Sequence, residues 1–448
     1  MTRLLTIWRS WSVGQRTLAV GAAALALGGI GVAAYLVLKR PGDVSNPNAT
    51  FIGHEKKQKA VETVNWPVYG FDDERTRYLP SKEVKPPYHS SEWSFQAGRL
   101  LEFSPILVDG ALYLIDKEGL FYAFDAASGK ILWKRDIGSL NASSPAHADG
   151  RLFAATLSPG QVVSLRPKDG KVLWRHPLPG RSETSPVVFG DKVIVGCENG
   201  DVLALDVDTG KVEWTVSTEG AVKGGVALHE GAVFFGNYAG ELYAVDAASG
   251  SVKWQTGTQG SSFGLAGRIY STPAVAFGRV YVGSIDGRVY SFEEATGDLA
   301  WSHSTGAEVY PGPAVADTPG APPTVFVGSA DQHFYALDAK DGSERWSDHV
   351  GGLVIGSPSV IGRVAYVGVI GPKNGTYGYD TGTGEQVFES DLGEYNPAIS
   401  DGHRLYLTGY SEVRAFLPDA EKGGGDKGGG GDNGGGEKGR GGNDRGRG

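Results

Sequence analysis

Short apolar segments separated by polar turns recur through most of this 448-residue chain. In most units a Ser-Pro or Thr-Pro pair opens the first apolar run. An Asp-Gly-type turn then closes that run, as is usual in β-hairpins. This pattern predicts four short strands per unit and an all-β fold. The unit is clearest in YAFDAASGKILW (122–133), LALDVDTGKVEW (203–214), YAVDAASGSVKW (243–254) and YALDAKDGSERW (335–346).

Three positions of the unit are nearly constant: an acidic residue, a Gly four residues later, and a large aromatic residue after four more. The acidic side chain can accept hydrogen bonds from the turn, and Gly allows the positive φ that such a turn needs. The aromatic ring supplies a large flat surface for the contact with the next unit. We therefore predict a structural docking role for Trp93, Trp133, Trp174, Trp214, Trp254, Trp301 and Trp346, with Phe388 in a weaker unit.

The spacing of these units predicts a β-propeller. Successive Trp residues lie 40 to 47 residues apart from Trp133 to Trp346, and about 40 residues per four-stranded unit is typical of propeller blades. The last unit, 395–420, lacks a Trp strand, and the segment 91–98 supplies one at the other end. We expect eight blades closed by this N-terminal strand, or seven if the Phe388 unit is irregular.

An uncharged apolar segment of 22 residues, 17–38, precedes the repeats and is long enough to cross a bilayer as a helix. It ends in Tyr-Leu-Val-Leu-Lys-Arg, which favours an uncleaved anchor over the alternative of a cleaved signal peptide. The expected organisation is a single-pass protein of the cell membrane with an extracytoplasmic propeller. Its parts are a cytoplasmic N-terminus (1–16), the transmembrane helix (17–38), a linker (39–65), the propeller (66–420) and a disordered Gly-rich tail (421–448).

Composition narrows the function classes. The formal net charge of −9 argues against nucleic-acid binding by the propeller. The single cysteine, Cys197, excludes an intrachain disulfide and a Cys-based metal cluster. The His residues show no metal-ligand spacing, so we assign neither metal ligands nor catalytic residues.

One mouth of the central channel is the expected binding site. The residue three positions before the Pro that opens each first strand should reach this mouth, and a long loop at 257–270 could cover it. Three carboxylates and two Tyr hydroxyls could take a cation, a basic peptide or a sugar, although a solvated rim without a ligand is the alternative. The predicted site residues are Glu102, Glu183, Lys223, Tyr270, Tyr310, Glu394 and Asn396; Ala142, Val222 and Ile355 complete the ring.

The repeats resemble those of the pyrroloquinoline quinone (PQQ)-type propeller family over residues 66–418. The Ala-x-Asp-x-x-x-Gly-x-x-x-Trp docking motif of that family is matched at 123–133, 204–214, 244–254 and 336–346. The stretch WPVYGFDDERTRYLP (66–80) resembles the opening segment of quinoprotein alcohol dehydrogenases. The resemblance implies two branches: the PQQ-dependent dehydrogenases, and non-catalytic scaffolds similar to outer-membrane protein assembly factor B.

Departures from the dehydrogenase branch favour the scaffold. That branch has an adjacent-Cys disulfide beside its cofactor, which a chain with one cysteine cannot form. PQQ is a tricarboxylate, so an acidic mouth opposes it unless calcium bridges the charges. We expect a monomeric, non-catalytic binding or assembly scaffold with a protein partner and no cofactor. The alternatives are a dehydrogenase using PQQ with calcium, and a small-molecule sensor domain.

Overall fold

A computed structural model describes residues 12, 29, 41–53, 64–88, 91–260 and 267–419. No helix within these residues is long and apolar enough to span a bilayer. The predicted transmembrane helix 17–38, apart from residue 29, and the Gly-rich tail 421–448 lie outside the described residues.

The repeat units form eight four-stranded antiparallel sheets, so the alternative of seven blades is wrong. Two short strands precede the first complete blade: β1 (Tyr78–Leu79) and β2 (Trp93–Gln96). Blade 1 contains β3 (Ile106–Val108), β4 (Ala111–Ile115), β5 (Leu120–Asp125) and β6 (Ile131–Asp136). Blade 2 contains β7 (Ala146–Ala148), β8 (Arg151–Leu157), β9 (Gly160–Leu165) and β10 (Val172–Pro177). Blade 3 contains β11 (Val187–Phe189), β12 (Lys192–Gly196), β13 (Asp201–Asp206) and β14 (Val212–Ser217).

The next three blades repeat this order of one short strand followed by three longer ones. Blade 4 contains β15 (Ala227–His229), β16 (Ala232–Gly236), β17 (Glu241–Asp246) and β18 (Val252–Gly257). Blade 5 contains β19 (Ala274–Ala276), β20 (Arg279–Ser284), β21 (Arg288–Glu293) and β22 (Leu299–Ser304). Blade 6 contains β23 (Ala314–Ala316), β24 (Thr324–Gly328), β25 (His333–Asp338) and β26 (Glu344–His349).

The last two blades join both ends of the repeat region. Blade 7 contains β27 (Ser359–Ile361), β28 (Val364–Val369), β29 (Gly375–Asp380) and β30 (Gln386–Ser390), and β1 adds to it parallel to β27. Blade 8 contains β31 (Ile399–Ser400), β32 (Leu405–Thr408) and β33 (Glu412–Phe416), with β2 as its fourth strand. Trp93 pairs with Ala415, which confirms the predicted closure of the ring.

The chain direction gives the disc two distinct faces. First strands of successive blades contact one another around the axis. Loops between second and third strands, and loops from one blade to the next, lie on the face that carries the central cavity described below. Loops within the first hairpin, and those between third and fourth strands, lie on the opposite face. We call these the cup face and the far face.

The predicted Trp residues dock each blade on the next. In blade 2, the indole N–H of Trp174 donates to the carbonyl of Val207 in blade 3 at 2.9 Å. The ring covers Gly210, whose φ is +69° and where a Cβ would lie 2.6 Å from the indole. The other pairs of docking Trp and covered Gly are Trp93 with Gly129, Trp133 with Gly170, Trp214 with Gly250, Trp254 with Gly297, Trp301 with Gly342 and Trp346 with Gly384.

The contact between blades 7 and 8 has no docking indole, because Phe388 stands at the position of the Trp. Tyr88, from the segment before β2, packs edge-on against Phe388 with ring centroids 5.3 Å apart. Its hydroxyl lies 2.5 Å from that of Tyr366 in β28, and its backbone bridges to Pro418 beyond β33. A segment distant in sequence thus adds an aromatic ring to the one junction that has no docking indole.

The segment 66–79 runs through the centre of the ring. Trp66 pairs with Leu107 of blade 1, and backbone carbonyls further along accept hydrogen bonds from first strands of other blades. These acceptors are Pro67 (blade 2), Asp73 (blade 4), Glu74 (blade 5), Thr76 (blade 6) and Arg77 (blade 7). The segment therefore closes the channel below the cup face, and we call it the plug.

Candidate functional site

A cavity of about 540 Å³ opens at the centre of the cup face. Tyr69 of the plug lies at its base, where the hydroxyl donates to Ser357 at 2.9 Å. The walls come from loops of several blades, as expected where a propeller binds a ligand. We call this cavity the cup. Its principal side chains are Tyr69, Glu102, Phe103, Glu183, Lys223, Tyr238, Tyr270, Glu308, Tyr310, Tyr395 and Asn396.

Most of the residues predicted for the mouth lie in the cup. The structure brings together Glu102, Glu183, Lys223, Tyr270, Tyr310 and Asn396, and Ile355 lies beside them. Glu394 is not part of the lining: it is buried, and its carboxylate accepts a hydrogen bond from the Asn374 side chain at 3.2 Å. Ala142 and Val222 are buried outside the lining as well.

Sequence reasoning missed part of the lining because it followed only one class of loop. Tyr238 and Ala330 lie in loops between second and third strands, which reach the same face. Those loops were visible in the repeat, so this signal was available. Tyr69 belongs to the plug, and no feature of the repeat indicates that it lies under the mouth.

Aromatic rings form one side of the cup. Tyr270 stands between Tyr238 and Tyr310, with ring centroids 6.3 Å and 6.2 Å away. The Tyr270 hydroxyl donates to Glu183 at 3.3 Å. Burial raises the pKa of Tyr270 well above its usual value, and Glu183 adds to the effect, so the hydroxyl stays a neutral donor.

Most carboxylates of the cup form ion pairs with lysines, so the mouth is less acidic than the sequence predicts. Lys223 Nζ lies 2.7 Å from Glu183 and 2.8 Å from Glu198, a carboxylate that was not predicted. Burial raises the pKa of Glu183, only partly offset by Lys223. Burial also acts on Glu198, but its bonds to Glu183 and Lys223 lower its pKa overall. Glu102 lies 3.1 Å from Lys117.

Carboxylates outnumber cationic groups within the lining of the cup itself, while Lys117 beside Glu102 and Arg268, 5.7 Å from the Tyr238 ring centroid, add positive charge at its edge. The lining carries the carboxylates Glu102, Glu183 and Glu308 against the single ammonium of Lys223. Tyrosine faces beside carboxylates attract a cationic group, because the ring quadrupole and the carboxylate act in the same sense. Lys223 already shows this arrangement, with Nζ 5.7 Å from the Tyr238 ring centroid. The cup can therefore accept a Lys or Arg side chain with apolar neighbours.

The same groups are a poor match for PQQ. The cofactor is a tricarboxylate, whereas the one ammonium of the lining is already shared by Glu183 and Glu198. Calcium could bridge a carboxylate pair to such a ligand, but the Lys223 ammonium occupies the position between these two carboxylates. Cys197, the only cysteine of the chain, is buried directly after β12 and does not line the cup, and a vicinal disulfide would need a second cysteine.

Eight radial blades with an indole docked at seven junctions define a PQQ-type β-propeller. The family described as outer membrane protein assembly factor BamB matches residues 89–221 and 198–408, more than half of the chain. This chain therefore belongs to that family, which confirms the resemblance seen in the repeats.

Individual relatives match shorter stretches and include two kinds of protein. BamB from Yersinia pestis is 33% identical over 101 residues, covering 22% of this chain and 25% of the relative. A 1-butanol dehydrogenase (cytochrome c) from Thauera butanivorans is 30% identical over 155 residues, covering 29% of this chain and 22% of the relative. Each match thus spans about a quarter of the relative's length.

Solved structures give the same two kinds of neighbour. BamB from Moraxella catarrhalis superposes with a TM-score of 0.62 at 19% identity, covering 73% of this chain and 99% of that one. Quinohemoprotein alcohol dehydrogenase from Comamonas testosteroni superposes with a TM-score of 0.67 at 15% identity, covering 80% and 81%. At 15–19% identity, this structural similarity establishes the fold only. The function has to be inferred from the residues of the cup.

Proposed function

We propose that this protein is a non-catalytic scaffold that binds a cationic peptide segment of a protein partner in the cup. The observation that carries the proposal is the lining itself: a tyrosine wall beside carboxylates in excess over cations. Several charged groups of the cup are engaged in pairs, as Lys223 is with Glu183 and Glu198. The relatives named as assembly factors support a binding role for the fold.

We place the propeller on the extracytoplasmic side of the cell membrane, held by an anchor at 17–38. The support is the length and apolarity of that segment, and the arginines that precede it in the chain.

Titration with a charged peptide tests the binding role. We expect a labelled Lys- and Phe-containing peptide to bind the full-length chain in detergent, and a Glu-substituted version to bind much more weakly. The double variant Glu102→Gln/Glu183→Gln should weaken binding about tenfold, which equals ~1.4 kcal/mol. Fluorescence anisotropy measures the effect.

The matched control changes charge by the same amount on the same face. Glu118→Gln/Glu219→Gln alters two exposed carboxylates in loops outside the lining and should leave the affinity unchanged. Equal affinity of both variants and the parent chain for the peptide would contradict the proposal.

A quinoprotein dehydrogenase is the second candidate, favoured by the Thauera butanivorans relative and by the Comamonas testosteroni structure. Incubation of the full-length chain with PQQ and calcium, followed by dye-linked oxidation of primary alcohols, distinguishes the two. We expect neither PQQ binding nor turnover, because carboxylates outnumber cations in the lining and its one ammonium is already paired with Glu183 and Glu198. Turnover would replace the scaffold proposal.

A further inference from the structure

The chain between the predicted anchor and the plug is attached to one blade. Residues 41–53, which we call the strap, lie along the outer edge of blade 5. Ser45 bridges to Trp301 in β22, the Asn46 amide donates to Ala300, and the Ser302 amide donates to Val44. The strap thus covers the open edge of the outermost strand.

Two buried arginines hold the strap. Arg279 in β20 is 1% exposed and donates to the carbonyl of Thr50, and Arg288 in β21 is 4% exposed and donates to the carbonyl of Pro41. Arg151 occupies the position of Arg279 in blade 2, but it pairs with the exposed carboxylate of Asp208. Both blade 5 arginines therefore donate to backbone carbonyls of the strap, and Arg288 also donates to Gly260 at 3.3 Å, since a buried guanidinium needs such acceptors.

Apolar contacts add to these hydrogen bonds. Phe51 packs on Phe277 with ring centroids 5.6 Å apart, and Ala49 joins the same cluster. Trp301 is fully buried beneath the strap, whereas Trp254, its counterpart in blade 4, stays partly exposed. The strap is fixed along its length rather than touching the blade at one point.

The direction of the strap decides which face of the disc lies near the anchor. Its beginning is at the cup face: the Asp43 carboxylate accepts from Ser304 at the end of β22, and the Gly42 carbonyl accepts from Gln259 in the loop before blade 5. Its end is at the far face, where the Ile52 amide donates to Phe277 in the turn after β19. The chain therefore enters blade 5 at the rim of the cup face.

We propose that the strap orients the propeller with its cup face toward the membrane, so that the cup receives an extracytoplasmic segment of an integral membrane partner. This rests on the proposed function for the occupant and on the anchor at 17–38 for the tether. Three peptide steps separate Leu38 from Pro41, a reach of at most about 10 Å. The six residues of β22 hold the far face roughly 20 Å further away.

Depth-dependent fluorescence quenching tests the orientation without any ligand. The full-length chain is placed in nanodiscs of phosphatidylcholine and phosphatidylglycerol that carry nitroxide-labelled lipid headgroups. One bimane label is attached at Glu219→Cys on the cup face, or at Ala248→Cys on the far face, both exposed. Burial raises the pKa of Cys197 to about 12, so the native thiol stays unlabelled.

We expect strong quenching at position 219 and little at position 248. Equal quenching at both positions, stronger quenching at 248, or failure of the chain to insert into nanodiscs would each overturn the proposed orientation. The peptide titration described above is independent of this measurement, so a wrong orientation and a wrong binding role can be told apart.

Variants that release the strap provide a second test of the orientation, with the same quenching measurement. Arg279→Ala/Arg288→Ala should abolish the difference between the two labels, and Arg151→Ala should preserve it. Insertion of twelve Gly-Ser residues between Arg40 and Pro41 lengthens the tether and leaves every strap contact in place, so folding is not at risk. It should also reduce the difference, and an unchanged difference in this variant would contradict control by the tether.

Discussion

At the scale of single residues, the repeat pairs a docking Trp of one blade with a Gly of the next blade. Each docking indole needs a glycine beneath it, because a Cβ there would overlap the ring and because the turn holds that glycine at positive φ. The indole and the glycine lie in different units. The glycine of each Asp-x-x-x-Gly turn is therefore required because the Trp of the preceding blade packs on it.

Replacing one of these glycines should therefore cost more than backbone strain alone. We expect Gly210→Ala to destabilise the fold by about 3 kcal/mol, the sum of an αL penalty near 1 kcal/mol and overpacking against Trp174. Gly190→Ala is the matched control, since Gly190 has φ +56° but nothing within 4 Å of a Cβ. It should lose only about 1 kcal/mol. Thermal unfolding of both variants measures the difference, and equal losses would show that the indole contact adds nothing.

At the scale of elements, the plug organises the centre of the disc through backbone carbonyls. Arg75 is fully buried and donates to the carbonyls of Val226 and Pro186, while Arg77 donates to Pro313. Burial lowers the pKa of Arg75 to about 10, yet the side chain remains charged at neutral pH. One side chain thus joins the residues directly before the first strands of blades 3 and 4 to the plug.

The Arg75→Met variant tests this role. Methionine fits a similar volume but leaves several buried carbonyls without a donor, so we expect a loss of about 3 kcal/mol and a looser base of the cup. Arg99→Met, at a half-exposed position beside Asp116, is the control and should change stability by less than about 1 kcal/mol. Hydrogen exchange should increase at the amides of Leu228 and Val275, which bond to the plug. Unchanged protection there would argue against the plug as an organising element.

At the scale of the whole molecule, the ring is closed by one short strand from the opposite end of the repeat region. Trp93–Gln96 pairs with Glu412–Phe416, and Trp93 docks blade 8 on blade 1 through a 3.1 Å hydrogen bond to Ala126. This closure joins residues more than 300 positions apart, so the closed disc depends on a contact with a high entropic cost.

A covalent closure should raise stability markedly. Ser94 and Arg414 are cross-strand partners, and the variant Ser94→Cys/Arg414→Cys places two cysteines at that register. The oxidised form should unfold at a higher temperature than the reduced form by an amount equal to several kcal/mol, because the bond closes a very long loop. The reduced form of the same protein is the control. A midpoint that does not depend on the redox state would mean that this junction is not the first to open.

Much of the architecture can be predicted from the sequence, because the residues that form strands, turns and blade contacts recur from repeat to repeat. Pro, Gly and the docking aromatic recur at fixed offsets, and they specify strands, turns and the number of blades. The N-terminal closing strand was predictable as well, since Trp93 continues the spacing of the blade indoles. The position of Glu394 was not: the rule that places Glu102 and Glu183 in the cup puts it at the mouth, but the fold buries it beside Asn374.

The amino-acid sequence by itself determined the blade, its docking motif and the closed ring, because each arises from residues near one another or from a repeated spacing. Only the tertiary structure decided what fills the centre and the rim. The plug under the cup, Lys223 between Glu183 and Glu198, and the strap on blade 5 all bring together groups from separate units. No periodic pattern specifies such contacts, since their geometry exists only once the blades have closed around the axis.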